Sequence, residues 1–386
     1  MIPYGKQEIE QQDIDAVVDV LKSDFLTQGP QVPLFEKSIS EAVNSKYAIA
    51  VNSATSALHI ACLALDISSK DLVWTTPITF VASANCALYC GATIDFVDID
   101  PASYNLSAVS LEKKLRSAKR NGLSIPTLLI VVHLCGQSCD MQKIQALAQE
   151  FGFVIIEDAS HAIGGKYKGM PIGNCQYSDI TVFSFHPVKI VTTAEGGVAT
   201  TNDAKLASLM DLYRSHGITR DVDKMTHQED GPWYYQQIAL GYNYRMTELQ
   251  AALGVSQMQR LHSFVESRHA LSRRYDQLLA SLPLSIPWQH PDTYSGLHLY
   301  VIRLQLDKLE VSHSEVFKSL REQGVGVNLH YIPVHTQPYY QQLGFRNGMF
   351  PEAEAYYQEA ISIPLYHHMS EQDQDHIVSV LQAVLR

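Results

Sequence analysis

The feature that most constrains the fold is an alternation of short apolar runs with longer segments of helical periodicity over the first 250 residues. The clearest apolar runs are YAIAV (47–51), PTLLIVV (126–132) and FVII (153–156), and a helical pattern over 140–150 separates the last two. Short apolar runs are typical of buried strands. Strands that alternate with helices form mainly parallel sheets covered by helices on both faces. The sequence therefore predicts an α/β fold with a large, mainly parallel α/β/α sheet domain.

The pattern changes near residue 255. A long helical segment over 256–282 precedes a predicted strand at 298–304 and a predicted helix at 312–323. A chain of 386 residues is too long for one simple core. We predict a large domain over 1–254, with an N-terminal helix and loop, and a smaller C-terminal α+β domain over 255–386.

Composition excludes several classes of function. The net charge is −11 and no dense Lys/Arg run is present, which argues against a surface for nucleic acid or an anionic membrane. The longest apolar run, LLIVV at 128–132, is too short to cross a bilayer, and the first residues lack a leader pattern, so we expect a cytoplasmic protein. The six cysteines form no Cys-x-x-Cys pair and have no paired histidines nearby, so no metal site is predicted.

One lysine, Lys189, stands in the stretch TVFSFHPVKIVTTAEGG at 181–197. Alternating apolar residues before it predict a buried strand, and the Thr-Thr and Gly-Gly pairs after it predict a tight loop. Desolvation at the end of a buried strand lowers the pKa of a lysine amine and favours imine formation with a carbonyl. The alternative is that Lys189 caps a turn or pairs with Glu195.

A carboxylate, Asp158, ends the apolar run FVIIED at 153–158. This position predicts the carboxyl end of a buried parallel strand, the edge at which α/β sheets bind ligands. An aspartate there can bond to a protonated pyridine nitrogen. Pyridoxal phosphate requires such a partner to act as an electron sink.

The order and spacing of Asp158, Ser184, Lys189 and the TTAEGG tail resemble those of the fold-type I pyridoxal-phosphate enzymes, in particular the nucleotide-sugar aminotransferases. The resemblance runs from about Tyr4 to the C-terminus. It implies the PLP-dependent transferase fold type I, with pyridoxal 5'-phosphate as the cofactor. It also implies Lys189 as the residue that binds the cofactor covalently and Asp158 as the partner of its ring nitrogen.

The same resemblance assigns further cofactor contacts. Residues 53–56 begin a predicted helix with small and hydroxyl side chains, whose free N–H groups attract an anion. The family places the cofactor phosphate on the residues that match Ala54 and Thr55, although an ordinary capped helix is the alternative. Phe80 matches the aromatic residue that stacks on the pyridine ring, but it could equally be a core residue. Ser184 matches a hydroxyl that bonds to the phosphate.

Four other residues take their predicted roles from the family. His161 stands where many members have a glutamine that bonds to the ring hydroxyl, and this departure resembles the subgroup that makes pseudaminic acid precursors. Asn243 matches an asparagine that reaches the partner subunit's cofactor phosphate, which implies a homodimer with composite sites, although a turn residue is the alternative. Thr27 and Gln28 match a loop near the nucleotide sugar, or simply connect two elements.

The segment HYIPVH near the C-terminus matches a family motif that lines the sugar-nucleotide pocket, so His330 and Tyr331 are predicted substrate contacts. His335 closes that motif. We interpret His186 as a packed structural histidine.

The resemblance implies transfer of an amino group from L-glutamate to a UDP-linked 4-keto-6-deoxy-N-acetylhexosamine, giving a 4-amino sugar for pseudaminic acid. Alternatives are a 4-aminotransferase for another nucleotide sugar of the perosamine, bacillosamine or aminoarabinose type, and a non-catalytic regulator that binds the cofactor. A sugar 3-dehydratase of the same fold would carry histidine in place of Lys189.

Overall fold

The helices of this computed structural model, which describes residues 1–385, follow the predicted periodicity closely. Several begin at capping residues that satisfy their free N–H groups, as Ser53, Asp140 and Ser370 do. The helices are α1 (Gln11–Leu21), α2 (Gln31–Val43), α3 (Ala54–Ala64), α4 (Ala82–Tyr89), α5 (Ala108–Arg120), α6 (Met141–Phe151), α7 (Ala204–Arg214), α8 (Glu248–Met258), α9 (Leu261–Leu279), α10 (His313–Glu322), α11 (Pro338–Gln342), α12 (Pro351–Glu359) and α13 (Glu371–Val384).

The strands are short, and three of those in the large sheet are buried along their whole length. They are β1 (Tyr47–Val51), β2 (Leu72–Thr75), β3 (Thr93–Phe96), β4 (Leu128–Val132), β5 (Val154–Asp158), β6 (Lys166–Tyr167), β7 (Met170–Pro171), β8 (Ile180–Ser184), β9 (Gly197–Thr201), β10 (Ile218–Thr219), β11 (Gln236–Gln237), β12 (Leu284–Ser285), β13 (Thr293–Tyr294), β14 (Tyr300–Leu304) and β15 (Ala360–Ile363).

Seven strands form the central sheet in the order β1-β9-β8-β5-β4-β2-β3. Every neighbouring pair is parallel except the two that involve β9, which runs antiparallel to both β1 and β8. Side chains alternate between the two faces, as the period of a strand requires. Leu128 and Ile130 pack with α3 and α4, whereas Leu129 and Val131 pack with α5 and α6. The predicted α/β fold with a mainly parallel, three-layered sheet is confirmed.

A second, smaller sheet lies in the C-terminal part of the chain. Its three antiparallel strands have the order β12-β14-β15, and they share an apolar core with α9, α10 and α13. The first residues of the chain join this unit, because Ile2 forms a bridge with Val325 and the carbonyl of Tyr4 accepts the N–H of Leu365 at 3.1 Å.

The domain boundary at 254/255 stays a prediction. Helix α8 continues past residue 254 to Met258, and the predicted helix over 256–282 is interrupted at Arg260, where α9 begins. Over residues 1–385, no helix has the length and apolar character needed to cross a bilayer. The cytoplasmic location stays a prediction as well.

Candidate active site

The carboxyl ends of the parallel strands converge on one edge of the large sheet. Asp158 ends β5, Ser184 ends β8, and His133 follows β4 directly. The same edge receives the N-terminus of α3, because β1 runs parallel to these strands and leads into it through Asn52 and Ser53. The sequence folds this way because strands of one direction, connected by helices, must all end at one edge.

A cavity of about 990 Å³ opens at this edge. Its floor comes from the large sheet, and residues of the C-terminal part cover it, including His298, Asn328, His330 and Tyr331. Lys189 is the only lysine or arginine among the described residues that line it. Anionic groups bound here must therefore be held by N–H and hydroxyl donors, by Lys189, or by a second subunit.

The Lys189 side chain lies in the cavity wall without an ion pair to Glu195. Glu195 instead lies 3.9 Å from His186, which removes the alternative pairing considered for Lys189. Burial lowers the pKa of Lys189 to about 8, and the charge of Asp158 partly opposes that shift. A substantial fraction of the amine is therefore unprotonated near neutral pH and can attack a carbonyl.

Asp158 lies on the same cavity and is held firmly. Its Oδ2 accepts a hydrogen bond from the Ser83 hydroxyl at 2.6 Å, and its Oδ1 accepts one from the N–H of Ser160 at 3.1 Å. Only 5% of Asp158 is exposed. Donors to both oxygens stabilise the carboxylate, so that it can face a protonated ring nitrogen.

The N-terminus of α3 forms an anion cradle. Ser53 caps the helix by accepting the N–H of Ser56 at 3.1 Å. The amides of Ala54 and Thr55 come before that of Ser56 in the chain. They belong to the first turn of the helix, in which N–H groups lack intrahelical acceptors. Gly197 packs against this turn so closely that a Cβ there would lie 2.4 Å from the Ser53 carbonyl oxygen. The Gly-Gly pair of the sequence thus permits β9 to approach the cradle.

His161, Tyr331 and His298 form one cluster at the side of the cavity. His161 Nδ1 accepts the N–H of Cys135 at 3.2 Å, and its Nε2 lies 3.1 Å from the Tyr331 hydroxyl. Burial, together with the charge of Lys189, lowers the pKa of His161 well below its ordinary value. A neutral ring that accepts at Nδ1 carries its proton at Nε2, so His161 donates to Tyr331. The hydroxyl proton of Tyr331 is then free for a ligand.

Most of the predicted cofactor residues meet at this cavity. Its lining includes two predicted substrate residues, His330 and Tyr331. It also includes the predicted cofactor residues Ala54, Thr55, Phe80, Asp158, His161, Ser184 and Lys189. Phe80 is 57% exposed and its ring centroid lies 6.1 Å from that of Tyr331, so it is a cavity residue and not a core residue.

Three predicted residues do not line the cavity of their own chain. Thr27 and Gln28 lie exposed in the loop between α1 and α2. Asn243 is also exposed, although its carbonyl accepts a hydrogen bond at 3.4 Å from Asn52, which does line the cavity. Their functional roles stay predictions.

Two histidines differ from expectation. His186 is not packed, since about half of its side chain is exposed beside the cavity. His335 is fully buried and lies 3.0 Å from Glu354, away from the cavity. The HYIPVH motif therefore contributes its first two residues to the site and its last one to the packing behind it.

Sequence reasoning missed two cavity residues that come from distant parts of the chain. The ring of Tyr4 packs against His330 at a tilt of 53°, with ring centroids 5.2 Å apart. His298 lies 4.4 Å from the ring of His161, and its Nδ1 is buried without a hydrogen-bond partner among the described residues. The histidine that opens the predicted strand at 298–304 was a visible signal for His298, whereas no pattern pointed to Tyr4.

The residues present fit pyridoxal phosphate. The cradle of α3 and the Ser184 hydroxyl supply donors for a phosphate, Phe80 supplies an aromatic face, and Asp158 and Lys189 supply the two groups that the ring requires. Desolvation of the lysine by its surroundings is the feature that suits it to the carbonyl of this cofactor.

Comparisons with known proteins agree with this geometry. A UDP-4-amino-4,6-dideoxy-N-acetyl-beta-L-altrosamine transaminase of Campylobacter jejuni is 37% identical over 386 residues, covering 100% of this chain and 98% of that protein. The spore coat polysaccharide biosynthesis protein SpsC of Bacillus subtilis is 37% identical over 388 residues, covering 100% and 97%.

A solved structure shows the same similarity in three dimensions. PseC of Helicobacter pylori, described as an aminotransferase involved in the biosynthesis of pseudoaminic acid, has a TM-score of 0.89 at 30% identity, covering 100% of this chain and 99% of that one. The family model of the DegT/DnrJ/EryC1/StrS aminotransferases matches residues 7–382. The chain therefore belongs to the DegT/DnrJ/EryC1/StrS aminotransferase family.

Proposed function

We propose that this aminotransferase moves the amino group of L-glutamate to C4 of a UDP-linked 4-keto-6-deoxy-N-acetylhexosamine, as a step towards pseudaminic acid. The observation that carries the transaminase chemistry is the placement of Lys189 and Asp158 on one cavity with the anion cradle of α3. The names of the C. jejuni and H. pylori proteins support the choice of sugar.

The bound cofactor and the protein would each supply part of the chemistry. When bound, pyridoxal phosphate supplies an electron sink that stabilises negative charge at the α-carbon of the amino donor. Asp158 would hold a proton on the ring nitrogen, which keeps that sink effective. The hydrogen bonds from the Ser83 hydroxyl and the Ser160 N–H hold the carboxylate in position.

Lys189 would bind the cofactor covalently and, once displaced by the donor, act as general base and acid. In the second role its Nζ would take a proton from the donor α-carbon, hold it and release it again as the amino group is transferred. A pKa lowered to about 8 by burial suits a group that must both accept and release a proton near neutral pH.

Binding and orientation come from the other cavity residues. The N–H groups of Ala54 and Thr55 and the Ser184 hydroxyl would hold the phosphate, and Phe80 would cover one face of the ring. Because the His161 N–H is directed to Tyr331, we assign the free hydroxyl proton of Tyr331 to the ring oxygen or the sugar, with His161 as its positioning residue.

We further propose a homodimer with composite sites. Thr27, Gln28 and Asn243 are exposed and lie outside the cavity of their own chain. Large apolar side chains are exposed on the same loops, including Phe25, Leu26 and Leu240. Exposed apolar residues beside predicted ligand contacts support a second copy that covers these loops and receives Asn243 in its own cavity.

The function is tested by incubating the purified protein with glutamate and a panel of nucleotide 4-keto sugars, followed by NMR identification of the product. We expect a 4-amino-6-deoxy sugar from the UDP-linked N-acetylhexosamine, and none with Lys189→Ala. A panel should include sugars that differ in nucleotide and in the configuration at C5. Absence of amino sugar from every panel member, with cofactor bound, would favour a non-catalytic cofactor-binding protein instead.

A 4-aminotransferase for a different nucleotide sugar is the second candidate. SpsC, named for spore coat polysaccharide biosynthesis, matches this chain at the same 37% identity. Selective conversion of another panel sugar would assign the chain to this candidate, while the roles proposed for Lys189 and Asp158 would stand.

A further inference from the structure

Two histidines and one glutamate come together outside the active-site cavity. Nε2 of His367 lies 2.8 Å from Oε2 of Glu8, and Nε2 of His368 contacts Oε1 of the same carboxylate. The three ligand atoms all lie within 4.8 Å of one another. We call Glu8, His367 and His368 the Glu8 cluster. It borders a separate cavity of about 150 Å³, whose wall includes Ile190 and Arg268.

The close contacts in the Glu8 cluster do not have hydrogen-bond geometry. Glu8 Oε2 is buried without a hydrogen-bond partner among the described residues, although His367 Nε2 is near it, and His367 Nδ1 is buried and unpaired as well. Only 7% of the Glu8 side chain is exposed. A buried carboxylate oxygen without a partner is costly, and a cation shared with the two imidazoles would remove that cost.

The neighbouring arginines neutralise Glu8 only in part. Arg260 pairs with Asp13 at 2.5 Å and with Glu10 at 2.8 Å, whereas its distance to Glu8 is 3.6 Å. Arg268 donates to the backbone carbonyls of residues 297, 298 and 365. Glu8, Glu10 and Asp13 therefore share the guanidinium of Arg260, which leaves Glu8 without a close cationic partner of its own and favours a further positive charge at the cluster.

We propose that the Glu8 cluster is a binding site for a divalent transition metal of the zinc type, with the Glu8 carboxylate and Nε2 of His367 and His368 as ligands. Imidazole and carboxylate ligands suit zinc, and bonds of about 2.0–2.1 Å place tetrahedral ligand atoms about 3.3 Å apart. The three ligand atoms of the cluster all lie within 4.8 Å of one another, which is on the scale of that separation. His368 is 59% exposed, so the fourth position faces solvent.

The metal would have a structural role, because it would join two distant segments of the chain. Glu8 follows the N-terminal segment in which Tyr4 lines the active-site cavity, and His367 follows Leu365, whose N–H bonds to Tyr4. Glu8 is more than 350 residues away from the two adjacent histidines in sequence, which explains why no spacing pattern predicted a metal site. The proposal does not depend on the identity of the sugar substrate.

The test is zinc uptake by untagged holoenzyme, measured by equilibrium dialysis and elemental analysis. We expect one zinc per chain, and at least a tenfold loss of affinity in His368→Gln and in Glu8→Gln. His262→Gln is the matched control, since His262 pairs with Glu266 at 3.2 Å on the surface of α9 but has no second histidine. It should bind zinc as the wild type does.

His368 is exposed, so its replacement preserves the fold, and circular dichroism of each variant verifies that. Substitution with Co²⁺ gives a second readout, because visible bands of a four-coordinate nitrogen and oxygen site should appear in the wild type and weaken in His368→Gln. The proposal is overturned if the wild type takes up no zinc, or if Glu8→Gln and His368→Gln bind it with wild-type affinity.

Discussion

Burial lowers the pKa of several basic residues in the active-site cavity. Five histidines line it, and burial holds the pKa of three of them, His161, His298 and His330, below the ordinary value, with that of His330 lowered to about 3. The charge of Lys189 adds to the shift in all three. These three imidazoles are therefore neutral at physiological pH, and the one lysine among the lining residues has a lowered pKa of its own.

The lowered pKa of Lys189 predicts how the apo-protein captures pyridoxal phosphate. With a pKa of about 8, about one-tenth of the amine is neutral at pH 7 and about nine-tenths at pH 9. The rate of covalent capture, followed by stopped-flow absorbance, should rise through that interval and then level off. Lys189→Ala should give no absorbance change.

The same measurement tests the coupling between Lys189 and Asp158. Asp158 stabilises the ammonium form of Lys189. In Asp158→Asn, the midpoint of the rise of the capture rate with pH should therefore move below pH 8. Glu195→Gln removes another cavity carboxylate that pairs with His186 and should leave the midpoint in place. A midpoint that rises in Asp158→Asn, or moves equally in both variants, would contradict the assignment.

At the scale of elements, the cradle depends on the contact between β9 and the first turn of α3. Gly197→Ala would place a methyl group 2.4 Å from the Ser53 carbonyl oxygen and 2.5 Å from the Ala54 nitrogen. Because two backbones meet there, the turn must move. We expect about 1–3 kcal/mol of lost stability, measured by denaturant unfolding, and at least a tenfold weaker cofactor affinity, measured by titration.

Gly5→Ala is the control for this prediction. Its new methyl group would make only ordinary contact, 3.8 Å from Val188. Affinity and stability close to the wild type are expected there. Unchanged cofactor affinity in Gly197→Ala would show that the phosphate is not held by the amides of Ala54 and Thr55.

The elements of the large sheet were predictable because their signals are local. The runs that form β1, β4 and β5 are apolar and short, and Ser53 marks the start of α3. The antiparallel direction of β9 was not predictable, because GVATT at 197–201 has no pattern that distinguishes direction. The break between α8 and α9 was missed because the helical periodicity continues across Arg260.

The candidate site was predictable where one segment carries both the fold and the chemistry, as Lys189 and Asp158 do at the ends of their strands. The site was not predictable where the packing of the C-terminal part determines which residues reach the cavity. His298 faces the cavity because β14 pairs with β12 and β15, and the sequence around it does not specify that arrangement. The family, the fold and the cofactor are confirmed, whereas the contacts predicted across a dimer stay predictions.

At the scale of the whole molecule, composite sites predict complementation between two inactive variants. Lys189→Ala removes the reactive amine, and Asn243→Asp would place a carboxylate against the partner subunit's cofactor phosphate. A mixed dimer has one site with neither change. Co-expression should therefore restore about a quarter of wild-type activity with random pairing, whereas each variant alone stays inactive.

The matched control is co-expression of Lys189→Ala with Asp158→Asn. Both residues line the cavity of their own chain, so every site in the mixed dimer carries one defect. No restoration is expected. Equal activity in both mixtures, or a monomer by light scattering, would contradict composite sites.

The placement of Tyr4 has a practical consequence for anyone who engineers this enzyme. Its ring forms part of the cavity wall against His330, and Ile2 before it forms a bridge with Val325 in the C-terminal part of the chain. Removal of the first few residues would thus open a hole in the wall of the active-site cavity, and a bulky N-terminal fusion would strain the same wall. The opposite terminus, at the end of α13, is the safer point of attachment.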